Sequence, residues 1–169
     1  MREVKPDIFG ALLTVLNEVI DGAASESAWL LNSNDPGLLR SLDRLSAGEA
    51  SAIPPSGGAS IAAHVDHLRY GLQLLNRWSQ GENPCAGADW APSWDRITVT
   101  DAEWAARRDE LRREAYAWRE AIQRPREISD FELAGMLASV AHLAYHLGAI
   151  RQMNRSIRGP SEREAGRNK

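Results

Sequence analysis

The chain has 169 residues, of which 43% are hydrophobic and 25% are charged, and this balance is typical of a globular protein. The composition excludes a disordered chain and a collagen-like repeat, and the single cysteine, Cys85, excludes an intrachain disulfide. The formal net charge of -3 argues against a general nucleic-acid binder, which would carry a basic excess. The length predicts one domain, over residues 1–157, followed by a polar tail over 158–169 that we expect to be disordered.

The first half of the chain contains two predicted long helices. Apolar residues at three- and four-residue spacing predict a helix over about 6–21, with Pro6 in its first turn and Gly22 after its end. The second helix covers residues 60–79, with Ser60 as its N-cap. The long connection between them, with a short helix near 37–45, indicates a crossover.

The second half contains two more predicted helices, each opened by a capping box. One begins after Thr100 and stops at Pro125, and its buried stripe includes Trp104 and Trp118. The other begins after Ser129 and ends near residue 156. Four long helices with no convincing strand predict an all-α four-helix bundle.

The last predicted helix contains a stretch with no Asp, Glu, Lys or Arg, from Leu133 to Ile150. Its length reaches the lower limit for a membrane span, but Ala, Gly and two histidines favour a central helix buried by its neighbours. The first twenty residues form an amphipathic pattern and not a signal peptide. We therefore expect a cytoplasmic protein with no membrane partner.

The four histidines fall on two of these helices, His64 and His67 on the second and His142 and His146 on the fourth. The four-residue spacing of the second pair places both rings on one helical face, where they could converge on one metal ion. Two histidines hydrogen-bonded to neighbouring helices are the alternative. Bundle cores are a common place for metal sites built from facing helices.

A third ligand must come from the second helix, whose apolar face centres near Leu68 at 100° per residue. His64 falls about 40° from that centre and His67 about 100° from it, at the flank. This geometry favours His64 as the third ligand. His67 would then contact a ligand without binding the metal, or lie at the surface, and the choice between the two histidines stays open.

Three histidines would make an open site of the kind found around catalytic zinc, unless Cys85 closed the coordination sphere. Such a site could activate water, polarise a bound ligand or hold a thiol as thiolate. The HExxH motif, the Glu-x-x-His pairs of di-iron bundles, the Walker A loop and GxSxG are absent.

Two segments resemble the DinB-like (YfiT-type) proteins. The segment 60–68, SIAAHVDHL, resembles their second-helix signature, and 142–152, HLAYHLGAIRQ, resembles their final-helix signature, with two histidines four apart before Gly-x-Ile-x-Gln. The resemblance covers about residues 6–155. It implies a four-helix bundle with a crossover, often homodimeric, and a divalent metal, zinc or nickel, held by His64, His142 and His146; His67 makes that register ambiguous.

The resemblance also implies a class of activity, since characterised relatives are thiol-dependent enzymes that use low-molecular-weight thiols. We therefore expect a metal-dependent enzyme that acts on a small-molecule ligand, with thiol S-transfer as the specific hypothesis. The first alternative is a non-catalytic metal-binding bundle that serves as a sensor or interaction module. The second is a helical dimer whose histidines are hydrogen-bonded in the core. Trp90 and Trp94 are expected to anchor their loop, with a role in walling a ligand cleft as the alternative.

Overall fold

The computed structural model describes residues 7–23, 28–124 and 126–159, and within these ranges it consists of helices and connections without a strand. In chain order the α-helices are α1 (Ile8–Asp21), α2 (Gly37–Leu42), α3 (Ala47–Ser51), α4 (Ile61–Ser79), α5 (Asp101–Gln123) and α6 (Asp130–Met153). Short 3-10 helices cover Pro84–Gly87, Ala91–Trp94 and Arg155–Ile157. The prediction of an all-α bundle with four long helices is confirmed.

The long helices begin where local capping signals predict. The Ser60 hydroxyl accepts from the N–H of Ala63 at 3.3 Å, and complete capping boxes open α5 at Thr100 and α6 at Ser129. These side chains satisfy backbone N–H groups that the first helical turn leaves without partners. Helix α1 ends at Asp21, immediately before Gly22, as predicted, whereas its predicted first-turn residue Pro6 lies outside the described residues. The same holds for Pro125, the predicted end of the third helix.

Helix α4 packs against α5 and α6, and α1 packs against the same two helices, so the core lies among all four. Trp104 and Trp118 on α5 are buried, as their stripe predicted. Their indole N–H groups donate to the carbonyl of Leu45 at 2.8 Å and to the hydroxyl of Ser139 at 2.9 Å. Each large ring is therefore buried with its polar atom satisfied.

The crossover from α1 to α4 is fastened to the bundle by a close backbone approach and a buried ion pair. Gly22 and Gly37 both have positive φ, and a Cβ at Gly37 would lie 2.3 Å from the backbone nitrogen of Gly22. Nη1 of Arg151 on α6 donates to Oδ2 of Asp35 at 2.8 Å, and Nη2 contacts Oδ1. The crossover is thus joined to α6.

Helix α6 is not the fully buried central helix that its composition predicts. Phe131, Leu137 and Tyr145 are 78%, 55% and 72% exposed, while Leu143, Leu147 and Ile150 on the opposite side are buried. By length and composition α6 could cross a membrane, and 39% of its most apolar window is buried within the protein. The core helix of a soluble protein passes the same test, so the helix alone is weak evidence for a span.

The predicted domain boundary, after residue 157, falls close to the end of the described residues. Ile157 in the last 3-10 helix is fully buried. Residues 160–169, which belong to the predicted disordered tail, lie outside the described residues. The domain boundary therefore stays a prediction.

We predict that Asp35→Ala lowers the free energy of unfolding by about 3 kcal/mol, because it leaves the guanidinium of Arg151 buried without its partner. The paired side chains of Asp35 and Arg151 are only 3% and 13% exposed. Urea denaturation followed by circular dichroism measures the change. The matched control is Asp43→Ala, which removes exposed ion pairs with Arg112 and Arg108 and should cost less than about 1 kcal/mol. Equal losses for the two variants would contradict the prediction.

Candidate metal centre

All four histidines lie in one cluster where α4 faces α6. Nε2 of His142 lies 3.1 Å from Nε2 of His67 and 2.9 Å from Nε2 of His146. The ligand atoms of these three residues all lie within 4.8 Å of one another, so the group could hold a metal ion. The structure thus brings together the predicted pair on α6 and His67 of α4.

The spacing of these nitrogens matches what one metal ion requires. Nitrogens that coordinate an ion at about 2.0–2.1 Å, with angles of about 90–109° between them, lie about 2.9–3.3 Å apart. The separations from Nε2 of His142 to the other two rings, 2.9 and 3.1 Å, fall in that range. His142 is therefore spaced to share one ion with either neighbour, and the ligand atoms of all three rings lie within 4.8 Å of one another.

Ser93 determines which nitrogen of His67 carries the proton. The Ser93 hydroxyl donates to the carbonyl of Trp90 at 2.6 Å, so its only proton is already used. Nδ1 of His67 lies 3.0 Å from the same hydroxyl oxygen and must therefore be the donor of that hydrogen bond. A neutral imidazole has one N–H, so Nε2 of His67 directs a lone pair toward Nε2 of His142.

His64 lies beside this group of three, and the ligand set His64, His142 and His146 that the sequence favoured stays a prediction. Nδ1 of His64 lies 2.8 Å from Nδ1 of His146, on the far side of that ring from His142. If Nδ1–H of His146 donates to His64, Nε2 of His146 also presents a lone pair to the cluster. In that case His64 would orient the His146 ring, a role that the sequence pattern favoured for His67.

Burial keeps these rings in the neutral form that metal binding requires. Desolvation lowers the pKa of all four imidazoles, and it is the largest cause in each case. The pKa falls to about 4 for His67 and to about 3 for His146, with repulsion from the neighbouring rings as a further cause. At neutral pH the lone pairs are therefore available to a cation.

The loop between α4 and α5 explains why the position of His67 could not be inferred from α4 alone. The indole of Trp94 stacks on the His67 ring, with centroids 4.2 Å apart and planes at 24°. Trp90 lies 5.3 Å from the same ring. Together they cover the flank of α4, so that His67 is only 8% exposed. A helical wheel contains no information about this cover.

The other residues near the histidines in the sequence have separate positions. Asp66 is buried and pairs with Arg69 at 2.9 Å and with Arg107 at 3.5 Å. The Tyr145 ring, with its centroid 5.1 Å from that of His146, is largely exposed. Cys85 lies outside the histidine cluster, on an apolar cavity that His142 also lines.

Comparison with known proteins gives one match. A family model described as the DinB superfamily matches residues 35–150, which is more than half of the chain and contains all four histidines. The chain belongs to the DinB superfamily. No curated protein and no solved structure matches it. The predicted family is therefore confirmed, and the cluster of three histidines fits a metal-binding DinB-like protein.

We predict that the metal-free protein loses stability as the pH falls from about 6.5 toward 4. In this range the unfolded imidazoles, with an ordinary pKa of 6.5, bind protons that folded His67 and His146 do not bind. Each ring contributes at most about 1.4 kcal/mol per pH unit to the slope of the unfolding free energy against pH. Urea denaturation at several pH values, with a chelator present, measures the free energy of unfolding.

The control for this prediction is His67→Gln, which can keep a hydrogen bond to Ser93 but does not titrate. Its unfolding free energy should depend less steeply on pH than that of the unmodified protein. Identical slopes for the two proteins would show that His67 does not titrate differently on folding.

Proposed function

We propose that this DinB-superfamily protein holds one divalent metal ion, zinc or nickel, through Nε2 of His67, His142 and His146. The observation that supports this proposal is the convergence of three Nε2 atoms, with the second nitrogen of His67 engaged by Ser93 and that of His146 by His64. Imidazole ligands suit both metals. The proposed set contains His67 where the sequence favoured His64.

We further propose that the metal centre is catalytic and transfers a low-molecular-weight thiol to an electrophilic acceptor. Three protein ligands leave a coordination position open, as in catalytic zinc sites. A divalent metal at this position would lower the pKa of a bound thiol and hold it as thiolate, which is the nucleophilic form. Thiol chemistry enters through the family resemblance, and the open ligand set is consistent with it.

The residues of the chain have distinct tasks in this proposal. His67, His142 and His146 would hold the metal that binds the reacting sulfur, and Ser93 and His64 would hold two of these rings in the required tautomer. Trp94 covers His67 and restricts the access of water. The thiol proton passes to solvent, sulfur forms a bond to the acceptor carbon, and the leaving group departs with the electrons of the broken bond.

The remaining expectations about partners and location stay predictions. A homodimer is implied by the family resemblance, and the exposed apolar side of α6, which includes Leu137 and Tyr145, offers a surface on which a second copy could pack. The absence of nucleic-acid and membrane partners and the cytoplasmic location rest on the sequence arguments alone.

We predict that the purified protein binds one zinc or nickel ion, and that alanine at His67, His142 or His146 abolishes this binding. His64→Ala should retain the metal with an affinity weaker by about 10–100-fold, the usual effect of removing a partner that orients a ligand. Competition with a chromophoric chelator measures the affinities. If His67→Ala keeps the metal while His64→Ala loses it, the proposed ligand set is wrong and the set favoured by the sequence is restored.

We predict that the metal-loaded protein accelerates the reaction of bacillithiol, mycothiol or glutathione with electrophilic acceptors. The matched control is metal-loaded His64→Ala, which should keep part of the activity, whereas His142→Ala should have none. Chromatography with mass detection measures the conjugate. Failure with all three thiols, in protein shown to contain metal, would contradict thiol transfer and favour the non-catalytic metal-binding bundle.

A further inference from the structure

An apolar cavity of about 250 Å³ adjoins the candidate metal centre, in the groove between α4 and α6. Leu68, Leu72 and Leu75 of α4 and Leu143 of α6 line it. The space exists partly because three of its lining positions, Gly71, Gly135 and Ala138, have little or no side chain. Trp90 and Cys85 line it from the loop between α4 and α5, and His142 lines it on the side of the metal centre.

The cavity presents very little polar chemistry to a ligand. No Asp, Glu, Lys or Arg of the described ranges lines it, and the lining residues with polar side-chain atoms are Cys85, Trp90, Ser139 and His142. Ser139 is already engaged, because its hydroxyl accepts from Nε1 of Trp118 at 2.9 Å and donates to the carbonyl of Met136 at 2.6 Å. Trp90 approaches Gly71 with Cζ3 and Cη2 of its benzene ring, so polar contact with an occupant comes mainly from the thiol of Cys85 and from His142.

We infer that this cavity binds an uncharged, mainly hydrocarbon molecule with a body of about two fused rings, whose polar end lies beside His142. An apolar cavity of about 150 Å³ accommodates benzene, so 250 Å³ provides room for a larger ring system. A charged group in this lining would lose its hydration without gaining a partner. The identification of this molecule as the acceptor of the thiol rests on the proposed function. The binding of an apolar molecule in the cavity does not depend on that function.

The experiment uses two fluorescent probes with the same ring skeleton. N-phenyl-1-naphthylamine is uncharged, and 8-anilinonaphthalene-1-sulfonate differs by one sulfonate. The metal-free protein should bind the uncharged probe at least about tenfold more tightly, since an unpaired anion costs more than the 1.4 kcal/mol that corresponds to a factor of ten. Equal or tighter binding of the sulfonate at this site would overturn the inference.

The only cysteine of the chain reports where the probe binds. Cys85 is exposed and lines the cavity, so an uncharged alkylating reagent such as monobromobimane reacts at a single thiol. Saturation with N-phenyl-1-naphthylamine should slow this alkylation several-fold if the probe fills the cavity. An unchanged rate at saturation would place the probe elsewhere and overturn the inference.

Two variants reduce the volume of the cavity, and one control does not. Leu75→Phe and Ala138→Phe each add bulk at a lining position that is not fully buried. Each variant should weaken the binding of the uncharged probe about tenfold or more. The control Leu13→Phe is also a leucine-to-phenylalanine change, but it lies at a half-buried position of α1 outside the cavity. It should leave the affinity for the probe unchanged. Unchanged affinity in both cavity variants would contradict the inference.

The outcomes separate this inference from the proposed function. Loss of probe binding together with normal metal binding would reject the apolar site and leave the metal centre intact. Normal probe binding to a protein that takes up no metal would reject the proposed function and leave the apolar site.

Discussion

The arrangement of the site depends on the direction of two hydrogen bonds. The Ser93 hydroxyl donates its hydrogen bond to the carbonyl of Trp90. His67 must therefore donate to Ser93 through Nδ1, which leaves its Nε2 as an acceptor. His64 allows the same result for His146 on the opposite side. Nε2 of His142 lies between these two acceptors, so in the metal-free protein it can donate its own N–H to one of them. A divalent cation would take the place of that proton and accept lone pairs from all three rings, which is the ligand set proposed above.

The loop between α4 and α5 therefore has more than a connecting role. It supplies Ser93 to fix a tautomer, Trp94 to cover His67 and Trp90 to line the cavity. From the sequence, Trp90 and Trp94 are expected to anchor the loop, with the wall of a ligand cleft as the alternative. In the structure both indoles pack on His67, and Trp90, but not Trp94, is also among the residues that line the apolar cavity.

The parts of the fold that could be predicted from the sequence are those governed by local interactions. Ser60, Thr100 and Ser129 each cap a helix through residues within three positions along the chain, and the spacing of His142 and His146 alone places both on one face. The position of His67 depends on Trp94, which is distant in sequence and reaches the flank of α4 only after the loop folds. Periodicity along one helix cannot encode that contact. The same limit applies to α6, whose apolar residues lie on all sides, so composition could not distinguish its exposed side from its buried one.

The position of the cluster at the edge of the core, and not at its centre, makes chemistry possible there. Leu68, near the middle of the apolar face of α4, is fully buried, whereas His142 is half-buried and borders a cavity open to ligands. The proposed cation would keep its full charge when held by neutral rings, and the apolar lining beside it would lower the local dielectric and strengthen its electrostatic effect on a bound molecule. The apolar lining itself offers an ionised group no partner, which favours a neutral hydrocarbon body in the cavity. The proposed metal centre and the proposed apolar site would therefore share the groove between α4 and α6.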